Sequence, residues 1–129
     1  MKLLLDTCAL IWYLTEDARL FPEVYEQIAD SDNEVFVSAA SAWEIEIKRG
    51  KKDFDCPDDL LTVIKVCEFN VLSITIEHAI KTASLPKHHK DPFDRILIAQ
   101  AIVEKMILVI SDSKIIGVYP VPILVSKKQ

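Results

Sequence analysis

Short apolar runs alternate with helix-forming stretches along the whole chain, and this alternation constrains the fold more than any other feature. Lys2-Leu3-Leu4-Leu5 reads as a short buried strand ending in Asp6. Ile107-Leu108-Val109-Ile110, followed by Ser111-Asp112, is the clearest strand. Glu34 to Val37 is another, Phe69 to Leu72 a weaker one, and Val121 to Val125 a last one; Pro120 and Pro122 suggest a sheet edge there, because proline cannot donate to a ladder. Helices are expected from Thr7 to Leu14, from Pro22 to about Ala29, and from Ser38 through Arg49, where Gly50 stops the run. Further helices are expected to start at Pro57, with Leu60, Leu61, Ile64 and Cys67 along one face, and to cover Ile76 to Ser84 and Phe93 to Glu104. Such alternation predicts an α/β sandwich around a mostly parallel sheet.

At 129 residues the chain fits one domain, residues 1–129, with no linker, repeat or low-complexity stretch. Half the residues are apolar and the mean hydropathy is +0.21, which excludes disorder and leaves apolar surface for partners. The all-apolar segment Ala9 to Leu14 is the expected source of that surface. Two glycines are too few for a barrel or sandwich built on tight turns. No apolar run approaches the roughly 18 residues of a membrane helix. Met1 to Leu5 resembles the opening of a signal peptide, but Asp6 interrupts it and no small-residue cleavage site follows, so a cytoplasmic location is expected. Cys8, Cys56 and Cys67 form neither a disulfide framework nor a zinc pattern and read as thiols in a reducing compartment.

Twenty acids against fifteen bases give a net charge of −5. Bulk charge therefore cannot attract nucleic acid, and such a partner must be held by local patches or by bound metal. Lys48-Arg49-Gly50-Lys51-Lys52 and Lys87-His88-His89-Lys90 are two basic patches, although charge runs usually sit in water. His88 and His89 are adjacent on a polar loop, unlike the spaced ligands of zinc sites, and read as surface.

The acids are more informative. In parallel sheets, ligands bind at the carboxyl ends of strands, and Asp6 and Asp112 both follow strands there. Either alone could merely cap the next helix, but the pair points to a site. Glu44 has capping-box spacing from Ser41, yet Ser38 is the better helix start, which sets Glu44 about two turns in and facing the sheet's end. In Asp91-Pro92-Phe93-Asp94-Arg95, Asp91 suits an N-cap, Pro92 the first helical position, and Asp94 the first turn. Like charges about 4 Å apart repel by roughly 4 kcal/mol at an effective dielectric near 20. Inward carboxylates at one sheet end therefore call for a hard divalent cation, and oxygen-only ligands favour Mg²⁺ or Mn²⁺. Such a centre is suited to phosphoryl chemistry with a metal-activated water.

Leu3-Leu4-Leu5-Asp6-Thr7-Cys8-Ala9-Leu10, Val37-Ser38, Trp43-Glu44-Ile45, Asp91-Pro92-Phe93-Asp94-Arg95 running into Leu97-Ile98-Ala99-Gln100-Ala101, and Leu108-Val109-Ile110-Ser111-Asp112 together resemble PIN-domain ribonucleases. Order, spacing and length are similar to the VapC-like toxins of type II toxin–antitoxin pairs. The resemblance implies a three-layer sandwich with a five-stranded parallel sheet, and a metal-binding acidic site formed by Asp6, Glu44, Asp94 and Asp112. Thr7, Ser111 and Asp91 are further candidates for supporting or substrate-contacting roles: the resemblance puts Ser111 where it can position a water or phosphate, whereas Asp91 is extra to the pattern and its role is open. The resemblance further implies endonucleolytic cleavage of RNA, tRNA or rRNA above all, with Mg²⁺ or Mn²⁺, a cognate antitoxin, a homodimer, and no membrane association.

Four other readings bear comparison. A PIN nuclease of general RNA processing or decay would carry the same residues without an antitoxin. A haloacid-dehalogenase-like phosphatase needs Asp-x-Asp after its first strand, but Cys8 stands at the third position. A receiver module needs paired acids there and an Asp after its third strand, where Asn70-Val71-Leu72-Ser73 has none. A catalytically weak binding module would be free to lose the acids, and all four are present.

Overall fold

The computed structural model describes residues 1–86, 91–111, 119 and 122–125. Five strands, β1 (Lys2–Leu5), β2 (Glu34–Ser38), β3 (Asn70–Leu72), β4 (Ile107–Ile110) and β5 (Ile123–Val125), form one sheet in the order β3-β2-β1-β4-β5. Every neighbouring pair is parallel. Six helices cover it among the described residues: α1 (Thr7–Leu14), α2 (Pro22–Ala29), α3 (Ala39–Lys48), α4 (Leu60–Val66), α5 (Ile76–Ser84) and α6 (Pro92–Glu104).

The central strands are apolar at every position because both faces are covered. Leu3 and Leu5 of β1 pack with Ala9, Leu10 and Trp12 of α1, Val24 and Ile28 of α2, and Leu60 and Ile64 of α4. Leu4, one residue out of phase, joins Leu108 and Ile110 of β4 in packing against Leu97, Ile98 and Ala101 of α6. This is the period-two alternation of a strand used on both sides. Helix α3 leaves the end of β2 between the layers, with Ala40 in one core and Ile45 in the other.

A buried polar chain ties α3, α5 and α6 together. Ser38 caps α3 by accepting from the Ala40 N–H, and its hydroxyl donates to Gln100 Oε1 at 2.6 Å. Gln100 Nε2 donates to the Ser73 carbonyl at 3.3 Å. His78 is fully buried; Nδ1 accepts the Thr75 N–H at 3.0 Å, which assigns the ring proton to Nε2, 2.7 Å from Glu104. Thr75 and His78 thereby complete a reciprocal cap of α5.

Three expectations are corrected. The helix expected at Pro57 begins at Leu60: Asp59 caps it through Thr62, while Arg49 donates to the carbonyls of Cys56, Pro57 and Asp58 and holds that approach out of the helix. Segment Ala9 to Leu14 is not an exposed surface, because Ala9, Leu10 and Trp12 lie in the core and Ile11, Tyr13 and Leu14 pack against it. The exposed large apolar side chains lie instead on α3, α4, β3 and α5, at Trp43, Ile47, Leu61, Val66, Val71, Ile76 and Ile80, and at Ile74 just before α5. The edge strand begins at Ile123; Val121, Lys87 to Lys90 and Asp112 lie outside the described residues. The three cysteines stand as separate thiols, and no described helix is long and apolar enough to cross a membrane.

Candidate metal centre

Strand β1 is where the order reverses: β2 pairs on one side and β4 on the other. A crevice opens at the carboxyl end of such a switch point, and both residues flanking it here are polar. Asp6 follows β1 and is 3% exposed, and Ser111 follows β4.

Asp6 caps the following helix and also reaches across to the next strand's end. Its Oδ1 caps α1 by accepting the Ala9 N–H at 2.7 Å. Its Oδ2 accepts the backbone N–H of Ser111 at 2.9 Å and the Ser111 hydroxyl at 3.1 Å. Burial pushes the Asp6 carboxyl up from 3.8 to about 6, against the lowering effect of these donors, and the nearby Asp94 charge pushes in the same upward direction. Oδ1 has one donor among the described contacts and two lone pairs, so it retains capacity for a further partner. Ser111 thus orients Asp6, a more definite task than the water or phosphate contact the sequence suggested.

Asp94 reaches this edge because a helix preceding a parallel strand runs antiparallel to it, which brings the first turn of α6 to the carboxyl ends. Asp91 is the N-cap, exposed, and accepts the Phe93 N–H at 2.9 Å; Asp94 lies one turn in, half-buried, at the positive end of the helix. Arg95 points away, donating to the carbonyls of Thr82 at 2.7 Å and Pro86 at 3.0 Å at the end of α5. Pro86 also accepts the Tyr119 hydroxyl at 3.0 Å.

Glu44 is buried two turns into α3, as its distance from the Ser38 cap requires. Thr7 donates to its Oε1 at 2.5 Å, and Lys48 forms an ion pair with its Oε2 at 2.7 Å. Bonding to Glu44 raises the Lys48 ammonium above its ordinary value. Lys48, Thr7, Cys8 and Arg19 line a cleft of about 260 Å³ at this edge. From sequence Lys48 belongs to a basic patch and to the helix face that carries Glu44; its spacing of four from Glu44 is the signal for the ion pair.

Asp6 and Asp94 are close enough for their charges to interact, Glu44 is tied to Thr7 beside Asp6, and Asp112, next in sequence after Ser111, lies outside the described residues. Among the described residues, no three His, Cys, Asp or Glu side chains are grouped closely enough to hold a metal ion.

A family model of the PIN domain matches residues 3–119. The chain belongs to the PIN domain family. No curated protein matches the sequence at a significant level. Solved structures of similar fold include VapBC2 from Rickettsia felis bound to a DNA fragment from their promoter (TM-score 0.72, 12% identity, covering 98% of this chain and 100% of that one). DNA-bound VapBC from Salmonella typhimurium is also similar (TM-score 0.71, 16% identity, 96% and 97% covered). So is VapBC-5, a toxin–antitoxin system from Mycobacterium tuberculosis (TM-score 0.60, 17% identity, 98% and 98% covered). At these identities the likeness concerns the fold, and the five-stranded parallel PIN sheet agrees with it throughout. The PIN domain is a nuclease family.

Proposed function

We propose that this PIN domain is a divalent-metal-dependent endoribonuclease, acting as a VapC-like toxin in the cytoplasm and restrained by a small antitoxin. The observation that carries the reading is Asp6: a buried carboxylate at the switch point, oriented by Ser111 and under repulsion from Asp94.

The donor set suits a hard cation. Asp6, Asp94, Glu44 and Asp112 offer oxygen only, and two of them already repel each other. These four residues would hold Mg²⁺ or Mn²⁺, which supplies neutralisation of phosphate oxygens and a water of lowered pKa. The chain's own residues do the rest. Ser111 and the Ala9 N–H fix the Asp6 carboxylate, Thr7 fixes Glu44, and the first turn of α6 presents Asp94 where its dipole favours negative charge. Asp91 shapes that turn as its cap without entering the chemistry.

Partners are supported by the apolar surface. One hollow of about 310 Å³ lies between α3, α4 and β3, lined by Ala42, Leu60, Leu61, Ile64 and Val71. Another, of about 280 Å³, is lined by Trp43, Ile74, Pro92, Phe93 and Ile96. Neither hollow includes the acids, so these surfaces suit proteins rather than substrate: the antitoxin and a second copy of the chain. Structural neighbours solved as toxin–antitoxin complexes support the antitoxin.

The test is cleavage of tRNA and rRNA by the purified protein. Mg²⁺-dependent cleavage that is lost with chelator and in Asp6→Asn supports the proposal. Cleavage indifferent to chelator, or an active Asp6→Asn, refutes it.

A further inference from the structure

Lys48 holds a position that its place in the sequence does not explain. A Glu followed four residues later by Lys is an ordinary pair on an exposed helix face. Here the acid is not exposed: the Glu44 side chain is 9% accessible, whereas that of Lys48 is 39% accessible. Both Glu44 oxygens are occupied, Oε1 by the Thr7 hydroxyl and Oε2 by the Lys48 ammonium. A buried carboxylate needs such compensation, and any cation of suitable size can supply it.

We propose that Lys48 is a displaceable counter-ion: in the metal-free protein its ammonium occupies the cation position beside Glu44, and when a divalent ion takes that carboxylate Lys48 moves to a phosphate of the nucleic-acid substrate. The inference rests on the nuclease reading above and adds a substrate-contacting residue to it.

Three observations carry the proposal. The Lys48–Glu44 contact of 2.7 Å is to a candidate metal ligand, so the ammonium and a metal compete for the same oxygen. The side chain also lines the cleft with Thr7, Cys8 and Arg19, which leaves its head a path into solvent. Finally, lysine is a compact charge on a flexible four-carbon stem, able to exchange one anion for another without rebuilding a fork of bonds. Transfer also answers the charge problem of the chain: at −5 overall, it must place a cation where phosphate arrives.

Lys48→Met keeps the stem and removes the charge, and Lys48→Arg keeps the charge; melting in chelator establishes that both are folded. Magnesium titrated into each protein without RNA, followed by calorimetry, reads the competition. Lys48→Met should bind Mg²⁺ more tightly than wild type, by up to about fivefold, the worth of a partly exposed ion pair that no longer competes. Lys48→Arg should show no such gain. KM for a single-stranded RNA, measured across salt concentrations, reads the phosphate contact. In Lys48→Met, KM should rise and the logarithmic salt slope should fall by about 0.7, one phosphate contact on a single strand, while kcat at saturation changes less and Lys48→Arg restores the slope. Magnesium affinity in Lys48→Met equal to or below wild type, or an unchanged salt slope, overturns the proposal while wild type still binds and cleaves. Wild type that neither binds Mg²⁺ nor cleaves overturns the nuclease reading and this inference with it.

Discussion

Lowering the pH in the absence of metal should stabilise the protein through Asp6, contrary to the usual behaviour of carboxylates. The folded state holds this proton up to about pH 6, whereas an unfolded aspartate releases it near 3.8. Between those values the folded chain binds more protons than the unfolded one, so stability falls as pH rises. The contribution is fully present below pH 3.8 and lost above about 6. Integrated from about pH 7.5 down to pH 5, one such group gives ~1.4 kcal/mol. For a domain of this size that corresponds to a rise of about 5 °C in Tm. Other groups titrate in the same interval, so Asp6→Asn serves as the reference. The asparagine cannot accept from both Ala9 and Ser111, but its amide does not titrate, so that lost hydrogen bonding adds no pH dependence of its own. Calorimetric melts of both proteins in chelator, at the two pH values, isolate the effect as a difference of differences. A gap between wild type and Asp6→Asn that does not change with pH would refute the buried, repelled carboxylate on which the site is built.

Asp91→Ala should lose about 1 kcal/mol as a missing helix cap and keep its nuclease activity, whereas Asp94→Asn should abolish cleavage while melting no lower in chelator; urea melts and RNA cleavage distinguish them. Ser111→Ala removes the hydroxyl donor but not the backbone donor to Asp6, so the acid limb of the pH–rate profile should move to higher pH, measured as kcat/KM against pH. Trp43→Ser alters a side chain that is 63% exposed, so Tm should hardly move while affinity for the co-encoded partner falls, as read by pull-down and light scattering.

Much of the architecture was legible because its determinants are local. Three leucines before Asp6 and four aliphatic residues before Ser111 can serve only as strands covered on both faces, and that forces helices into the connections. Glu44 could be aimed inward from sequence because the choice of Ser38 over Ser41 as cap sets the phase of α3. Asp6 could be seen as a cap from sequence; that its second oxygen is held by Ser111, 105 residues away, leaves no trace in spacing.

The failures have the same cause. Ala9 to Leu14 looked too apolar to bury because the surrounding layer, α2 and α4 with the segment around Phe54, is assembled from distant sequence. Pro57 is a sound helix start locally, but Arg49 engages its carbonyl and those beside it, and Asp59 then offers the better cap. Gln100 and His78 read as ordinary polar helix positions, yet both are fully buried, because Ser38 and Glu104 complete their hydrogen bonds from other elements.

A divalent ion held by the switch-point acids for cleavage of phosphodiester bonds should be visible in a crystal. Anomalous scattering from crystals grown with Mn²⁺ tests it most directly. An anomalous peak is expected at the carboxylates of Asp6 and Asp94, and it should disappear in Asp94→Asn. A peak bound elsewhere with these carboxylates bare, or none at a manganese concentration that supports cleavage, would contradict it.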